Sequence, residues 1–339
     1  MEASTAVAAT PPTSPPSLDA LIALAAPDME AVDALIRRHM DSPVPVIPAL
    51  ADHLIAGSAK RLRPLLTVAA ARMAGAADDA CLKLAAAVEF IHTATLLHDD
   101  VVDSSELRRG RVAAHLIWGA PSSVLVGDFL FARAFELMVG AGSMAALDIL
   151  ARASRVIAEG EVLQLTRAHD LDLSQELYLE IIQAKTAELF AAAAECGAVS
   201  AGAPPERCRA LRKFGMDLGI AFQLVDDALD YASNSATLGK NAGDDFREGK
   251  ATLPLLLAMQ RSGAAEREFW VRTVDRREQT DEDFVRACEL MRQTGALQST
   301  LDLARSYAES AKAALADFPA NDWRPALADL ADFAVSRRA

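Results

Sequence analysis

Residues 81–103 read Cys-Leu-Lys-Leu-Ala-Ala-Ala-Val-Glu-Phe-Ile-His-Thr-Ala-Thr-Leu-Leu-His-Asp-Asp-Val-Val-Asp. This segment is rich in Ala and Leu and contains no proline, which predicts a long apolar helix that ends in aspartates. Prolines are also rare on both sides of this segment, since the chain from 65 to 253 contains only Pro121, Pro204 and Pro205. Alternating Val/Ile/Thr runs and Asn-Gly turns, which are typical of strands, are missing. We therefore predict an all-α protein.

Glycines and prolines divide this sequence, which is predicted to be helical, into separate elements. The predicted helices span residues 63–75, 79–104, 121–140, 143–168, 174–200, 206–233, 252–261, 281–294, 296–316 and 322–338. No charged run or Ser/Gly linker divides the body, so we predict a single large helical domain over 28–339. Residues 1–27 are rich in Ala, Pro, Ser and Thr and lack basic residues, which predicts a disordered tail and not a targeting signal.

The composition narrows the classes of function before any motif is considered. The 339 residues carry a formal net charge of -13, which argues against nucleic-acid binding because phosphate backbones require a basic surface. The four cysteines include no CxxC pair, so neither a zinc cluster nor a redox pair is indicated, and we expect a cytoplasmic protein. No apolar run reaches the roughly 18 residues that suggest a transmembrane helix.

Two aspartate clusters, each spaced Asp-Asp-x-x-Asp, lie in apolar helical text. They comprise Asp99, Asp100 and Asp103, and Asp226, Asp227 and Asp230. Residues at i and i+4 share a helix face, so the outer carboxylates of each cluster repel one another. Oxygen ligands of this kind suit Mg²⁺, which binds through a few carboxylates, water and substrate phosphates. The alternative, a solvated acidic edge, explains one such motif better than it explains two.

Basic motifs close to the clusters are typical of anion sites. They are Lys60, Arg61 and Arg63 before Pro64, Arg108 and Arg109 after the first cluster, and Lys240 and Lys250 after the second. Arg binds phosphate bidentately and Lys binds it as a point charge. Singly, each is a typical surface charge. Together they indicate two diphosphates, one held through a metal and one held directly by cations.

With these motifs the chain resembles the trans-isoprenyl diphosphate synthases, the polyprenyl synthetase family, from about Pro48 onward. The motifs that carry the resemblance are Lys-Arg-Leu-Arg-Pro at 60–64, Leu-Leu-His-Asp-Asp-Val-Val-Asp at 96–103, Leu-Arg-Arg-Gly at 107–110, Glu-Gly-Glu-Val-Leu-Gln-Leu at 159–165, Lys-Thr-Ala at 185–187, Phe-Gln-Leu-Val-Asp-Asp-Ala-Leu-Asp-Tyr at 222–231 and Gly-Lys-Asn-Ala-Gly-Asp-Asp-Phe-Arg-Glu-Gly-Lys at 239–250. The text is most similar to long-chain bacterial octaprenyl and decaprenyl synthases.

The resemblance implies an isoprenoid synthase fold with helices around a central cavity, a homodimer, and Mg²⁺ as cofactor. It also implies repeated addition of isopentenyl diphosphate to an allylic diphosphate. The implied metal ligands are Asp99, Asp103 and Asp226, with Asp100, Asp227 and Asp230 completing the clusters, partly through water. The implied contacts to the allylic diphosphate are Arg108, Lys185 and Lys240, and Lys250 is a further predicted substrate-binding residue. The implied isopentenyl diphosphate site comprises Lys60, Arg63, His92 and Arg109. Thr186 and Gln223 would lie beside the allylic carbon.

The predicted product is octaprenyl (C40) diphosphate for a quinone side chain, with decaprenyl, geranylgeranyl or farnesyl diphosphate as alternatives. Ala94 and Thr95, about one turn before Asp99, are predicted to border the path of the growing tail on the side of the cluster. Phe131, Phe135 and Met138 are candidates for the floor of that path. The enzyme is predicted to associate at most loosely with membranes, for release of its apolar product.

Two other classes of protein share parts of this pattern. A terpene cyclase would carry an Asn/Ser/Glu metal motif in place of the second aspartate cluster. A non-catalytic subunit of a heteromeric synthase would be expected to lose aspartates. Both clusters are complete here, which favours the synthase.

Overall fold

The computed structural model describes residues 17–55, 61–108, 110–232, 243–280 and 282–337. Its α-helices are α1 (Asp19–His39), α2 (Val46–Ile55), α3 (Leu62–Ala74), α4 (Ala80–Val102), α5 (Ala114–Trp118), α6 (Ala120–Gly140), α7 (Met144–Thr166), α8 (Gln175–Ile182), α9 (Glu188–Ser200), α10 (Pro205–Ala232), α11 (Asp244–Glu248), α12 (Leu253–Gln260), α13 (Ala264–Trp270), α14 (Asp283–Gln293), α15 (Ala296–Ala314) and α16 (Trp323–Ser336). Two π-helical turns, Gln183–Ala187 and Val271–Asp275, follow α8 and α13. Strands β1 (Leu107–Arg108) and β2 (Arg111–Val112) form a short antiparallel pair.

The all-α prediction is confirmed. Each of the ten predicted helices has a counterpart whose ends lie within two residues of the predicted ones. The predicted helix over 174–200 is interrupted by the first π-helical turn, which divides it into α8 and α9. The sequence analysis missed α1, α2, α5, α11 and α13, of which three have seven residues or fewer.

Helix α1 corrects the prediction of a disordered tail over 1–27, because residues 19–27 are helical. Its residues Leu21, Ala25, Val32 and Ile36 recur at helical spacing and are buried, and the helix packs against α3, α4 and α16. Pro27 lies inside the helix, where it removes a backbone donor. Burial of one apolar face therefore outweighs the local cost of the proline.

Helix α9 forms the centre of the larger apolar core and packs against α3, α4, α7 and α10. The contacts are close because small residues lie at the crossings. A Cβ on Gly215 of α10 would lie 2.4 Å from the carbonyl oxygen of Phe190, and a Cβ on Gly197 would lie 2.4 Å from that of Thr67. Both positions bring backbones together at a distance that only glycine allows.

Helix α4 is the only helix among the described residues that is long and apolar enough to cross a membrane, with a mean hydropathy of 1.5 over its most apolar window. Of that window, 72% is buried inside the protein. Core helices of this kind satisfy the same criterion. The helix lies between α3, α6 and α9 and carries the first aspartate cluster at its C-terminal end.

Helix α10 joins the two apolar clusters of the protein. Its first half contributes Phe214 and Leu218 to the cluster around α9, and its second half contributes Leu224 and Leu229 to a cluster with α8, α12 and α14. The second aspartate cluster lies on this second half. The fold thus places the two Asp-Asp-x-x-Asp motifs near the C-terminal ends of two buried helices.

Candidate active site

The space between the two aspartate clusters is called the cleft, and the first cluster directs two of its carboxylates toward it. Asp99 and Asp103 lie one turn apart at the end of α4, and both are partly exposed. Burial raises the pKa of Asp99, the charge of Asp103 acts in the same direction, and Lys185 opposes the shift. Lys250 Nζ lies 3.1 Å from Asp103 Oδ2. The pair therefore favours a nearby positive charge.

Asp100 has a different position from its neighbour Asp99. It is fully buried and accepts hydrogen bonds from Arg108, including one from Nε at 2.7 Å. In this arrangement its carboxylate anchors β1 to α4 and does not face the cleft. Arg108, which was predicted to contact the allylic diphosphate, is held at the edge of the cluster by this bond. Coordination of a metal by Asp100 through water stays a prediction.

The π-helical turn at 183–187 positions Lys185 and Thr186. It packs against α7 and α10, and a Cβ on Gly160 of α7 would lie 2.7 Å from the Cβ of Ala184. Turns with this wider hydrogen-bond pattern are rare and occur often at functional sites. The turn reorients these two side chains within what would otherwise be one continuous helix.

Glu161 is a site residue that the sequence analysis missed. Its Oε2 accepts a hydrogen bond from Lys185 Nζ at 2.8 Å. Burial raises the pKa of Glu161 to about 7, and the charges of Asp99 and Asp103 act in the same direction while Lys185 opposes them. The sequence analysis quoted the motif that contains Glu161. Nothing in that motif indicated that this acidic residue would face the first cluster.

The three aspartates of the second cluster have different hydrogen-bond partners. Asp226 is partly exposed, and its Oδ1 accepts a hydrogen bond from Arg337 Nη1 at 2.7 Å. Asp227 is buried, whereas Asp230 accepts hydrogen bonds from the backbone N–H groups of Gly243 and Asp245 at 3.2 and 3.1 Å. Asp226 is thus a carboxylate of this cluster that is both partly exposed and paired with a cation. Metal coordination by Asp227 or Asp230 through water stays a prediction.

A chain of hydrogen bonds connects the π-helical turn to α8 through α10. Thr186 Oγ1 donates to Gln223 Oε1 at 2.8 Å, and Gln223 Nε2 donates to Asp227 Oδ1 at 2.7 Å. The hydroxyl of Tyr178 donates to the other oxygen of Asp227. Burial raises the pKa of Asp227 to about 7, and the charge of Asp245 adds to this. The chain fixes the amide and the hydroxyl predicted to lie beside the allylic carbon.

The segment 243–250 connects the two clusters. Asp230 binds its first residues, α11 follows, and Lys250 at its end contacts both Asp103 and Glu248. Burial opposes the charge of Lys250, yet the charges of Asp245 and Asp103 raise its pKa. The two clusters therefore border one cleft.

The predicted isopentenyl diphosphate site is described in part. Arg63 Nη1 lies 3.1 Å from His92 Nε2, and the guanidinium lies 4.3 Å from the centre of the Phe190 ring. This contact brings α3 and α4 together in the predicted site. Lys60, Arg109 and Lys240 lie outside the described residues.

Comparison with known proteins agrees with this geometry. The polyprenyl synthetase family model matches residues 44–291. The chain is 45% identical to octaprenyl diphosphate synthase of Escherichia coli (strain K12), over 95% of this chain and 99% of that protein. It is 71% identical to a polyprenyl synthase from Caulobacter crescentus CB15 crystallised with calcium and isoprenyl diphosphate, with a TM-score of 0.94 over 97% of this chain and 100% of that one. A decaprenyl diphosphate synthase from Rhodobacter capsulatus is 52% identical, with a TM-score of 0.90 over 94% and 98% of the two chains.

The chain belongs to the polyprenyl synthetase family. It is therefore a prenyltransferase with the all-α isoprenoid synthase fold.

The cleft of this family member fits a hard divalent cation held partly by substrate. The exposed donors Asp99, Asp103 and Asp226 are all carboxylates, which are oxygen ligands. Within the described residues, no three His, Cys, Asp or Glu side chains converge closely enough to hold a metal ion. Since Mg²⁺ commonly binds through one or two carboxylates, water and substrate phosphates, this arrangement suits it.

The two residues predicted to border the tail differ in exposure. Ala94 has no exposed surface and belongs to the main apolar core, whereas Thr95 is partly exposed. Ala94 precedes Asp99 by five residues, which places the two side chains about 140° apart around the helix axis. Thr95 precedes it by four residues, which places those two about 40° apart. Thr95 therefore lies on the side of α4 that carries Asp99, whereas Ala94 is turned away from Asp99 into the core. A role of either residue in product length stays a prediction.

The predicted floor residues of α6 also separate. Met138 is buried, Phe131 is partly buried against the core, and Phe135 is 45% exposed on the outer surface. Phe135 therefore cannot close a path inside this chain, whereas the other two stay candidates.

Proposed function

We propose that this prenyltransferase is a long-chain trans-polyprenyl diphosphate synthase that makes octaprenyl (C40) diphosphate for a quinone side chain. The observation that carries this proposal is the cleft itself. Asp99 and Asp103 on α4 and Asp226 on α10 border it, and Lys185 and Lys250 supply cations beside them. An ionising allylic diphosphate needs this combination of metal-binding carboxylates and cations.

Each part of the cleft has a task in such a reaction. When bound, Mg²⁺ would draw electrons from the leaving diphosphate. Lys185 and Lys250 would stabilise the negative charge that develops on the same group, which is electrostatic catalysis. Thr186 and Gln223, fixed by their hydrogen bond, would direct oxygen dipoles toward the carbon that becomes positive.

The second substrate needs a separate site that holds its diphosphate without ionising it. Arg63, seated against Phe190 and His92, would bind the diphosphate of isopentenyl diphosphate. Apolar residues around both clusters would exclude water, which otherwise quenches a carbocation. The departed diphosphate can accept the proton that is lost, so no side-chain base is assigned.

The relatives differ in the product that they are named for. They include octaprenyl, decaprenyl and nonaprenyl diphosphate synthases at 45%, 52% and 41% identity. Octaprenyl diphosphate is proposed because three curated relatives, at 45%, 45% and 42% identity, are octaprenyl diphosphate synthases. Decaprenyl and shorter products are the alternatives.

One assay tests both the reaction and the product. The purified chain, without any partner protein, is incubated with Mg²⁺, an allylic primer and labelled isopentenyl diphosphate, and the products are separated by chromatography. A C40 product supports the proposal. A cyclised terpene would identify a cyclase, and no product from a folded, metal-binding chain would identify a non-catalytic subunit.

The active form is proposed to be a homodimer. Leu125, Phe135 and Val139 of α6 are 66%, 45% and 67% exposed and lie along one side of the helix at helical spacing. Leu116 of α5 and Met144 of α7, on the helices before and after α6, are also exposed, at 56% and 77%. Exposed apolar surface of this kind is typical of an interface, and a second copy with the same strip can cover it symmetrically.

The enzyme is proposed to act in the cytoplasm, with loose membrane association only as the apolar product is released. The proposed cofactor is Mg²⁺. The domain assignment is proposed as 28–339, extended at its start to include all of α1.

A further inference from the structure

Arg337, the residue that follows α16, lies at the second aspartate cluster, 111 positions from its partner Asp226 in the sequence. Its Nη1 donates to Asp226 Oδ1 at 2.7 Å, and its Nη2 donates to the backbone carbonyl of Phe222 at 2.9 Å. The guanidinium carbon also lies 3.8 Å from the centre of the Phe222 ring. Phe222 and Asp226 are one turn apart on α10, so a single helix face supplies an aromatic surface, a carbonyl and a carboxylate to one guanidinium.

This contact uses a carboxylate that the proposed reaction needs for a metal. Asp226 is the exposed aspartate of the second cluster, with 43% of its side chain accessible, and Arg337 is 19% accessible. A divalent cation close to Asp226 would lie within a few ångströms of the guanidinium, and like charges at that distance repel strongly in a partly buried cleft. The guanidinium and the metal therefore compete for the same carboxylate.

We propose that Arg337 is the internal counter-cation of Asp226. It neutralises this carboxylate while the cleft is free of metal and leaves it when a divalent cation binds together with a diphosphate. The proposal rests on the proposed function, since it takes Asp226 as a metal ligand. Arg337 is thus a positioning residue, which sets the concentration of metal at which the second cluster becomes loaded.

The first experiment measures metal affinity and not turnover. Mg²⁺ is titrated calorimetrically into the full chain, alone and with inorganic diphosphate, for the wild type, Arg337→Gln and Asp226→Asn. Removal of the competitor should tighten Mg²⁺ binding in Arg337→Gln by about 3- to 10-fold, which is the range for a partly exposed ion pair with an aromatic contact. Arg305→Gln is the matched control, because Arg305 is exposed and pairs only locally with Asp302. It removes the same charge without touching the cleft.

A second measurement tests whether the ion pair on which the competition depends forms in solution. In metal-free buffer, Arg337→Gln should lower the urea midpoint more when Asp226 is present than when it is already replaced in the Asp226→Asn variant. In that variant the guanidinium has no carboxylate partner left to lose.

The outcomes are distinct. Mg²⁺ affinity of Arg337→Gln within twofold of the wild type, or weaker, would overturn the counter-cation even if the urea midpoint falls. An Asp226→Asn variant that binds Mg²⁺ and diphosphate as the wild type does would instead overturn the metal role of Asp226, and with it the proposed function.

Discussion

Asp99 and Asp100 are adjacent in the sequence and differ completely in their surroundings. Asp99 is partly exposed beside Asp103, whereas Asp100 is buried against Arg108. The second cluster repeats the arrangement, with one exposed and one buried aspartate. Successive helical residues point about 100° apart, so an Asp-Asp pair directs one carboxylate into the cleft and one into the protein. The motif therefore combines a partly exposed carboxylate with a buried one that anchors it.

Asp99, the partly exposed aspartate of the first pair, should contribute more to catalysis than the buried Asp100. Asp99→Ala is expected to lower kcat by at least about 10³-fold, because it removes an interaction that strengthens in the transition state. Without metal its thermal stability should be unchanged or raised, since a carboxylate that repels Asp103 is gone. Steady-state kinetics and melting curves test both. Asp148→Ala, on an exposed part of α7, is the control, and Asp99→Ala turnover within tenfold of the wild type would contradict the assignment.

Glu161 gives a pH dependence of stability. Because its pKa is raised to about 7 in the folded protein, the folded state holds a proton that the unfolded state loses near its ordinary value of 4.5. The free energy of unfolding should therefore fall as pH rises from about 4.5 to 7. Glu161→Gln should remove the part of that slope that Glu161 contributes, while the raised pKa of Asp227 keeps another part. The variant should then be more stable than the metal-free wild type at pH 7 by on the order of 1–3 kcal/mol. Parallel denaturation curves at pH 5 and 7 without metal test this. Identical slopes would argue that Glu161 has its ordinary pKa.

At the scale of elements, the crossing of α9 and α10 depends on a close backbone contact. Gly215→Ala should cost about 2–4 kcal/mol, because the new Cβ would meet the carbonyl of Phe190, which cannot move without displacing α9. Gly140→Ala is the matched control, since its Cβ would meet nothing closer than 4.0 Å. Urea denaturation compares the two variants. Equal stability would show that α9 and α10 can separate without loss.

Helix α4 offers two neighbouring positions for a test of product length. Ala94→Phe is expected to stop elongation at roughly three or four units and, because Ala94 has no free surface, to cost about 1–3 kcal/mol through overpacking. Thr95→Phe, on a partly exposed position, should shorten the product with little loss of stability. Chromatography of products and melting curves are compared for both variants. Full-length product from a folded Ala94→Phe enzyme would remove this residue from the path of the tail.

Long elements were predictable because their signals are local. Proline-free segments rich in Ala and Leu predicted α4, α7 and α10, and the observed ends of these helices lie within two residues of the predicted ones. Helix α1 was missed because Pro27 and the surrounding composition argue against a helix, and only its packing on α3 and α4 reveals why it forms. The π-helical turn was missed for a related reason. It packs closely against Gly160 of α7, which is a tertiary contact that the sequence does not display.

At the scale of the whole molecule, the apolar strip on α6 predicts the oligomeric state. Leu125→Asp together with Val139→Asp should convert a dimer to a monomer in light scattering, because two charges would be buried at a symmetric interface. Ala132, exposed on the same helix between them, provides the control as Ala132→Ser. A wild-type chain that is monomeric at micromolar concentration would contradict the proposal.

The site as a whole was only partly readable in the sequence. The motifs identified the exposed carboxylates and the cations, since their residue types and spacing carry that information. They did not show that Glu161 holds Lys185, or that Arg337 crosses 111 positions to Asp226. Such pairs arise from the tertiary approach of distant segments, and no spacing rule describes them.

The burial of α4 has a consequence for synthesis of the chain on the ribosome. Glu188, the first residue of its partner α9, follows Val102 by 86 positions. At roughly 5–20 residues per second, α4 waits about 4–17 s before α9 is even translated. During this interval a helix apolar enough to resemble a membrane span is covered by α1, α3 and, as they are translated, by α5, α6 and α7, but not by α9. A nascent chain is therefore most exposed to aggregation in this window, and chaperone capacity should limit the yield of enzyme more than the stability of the finished fold does.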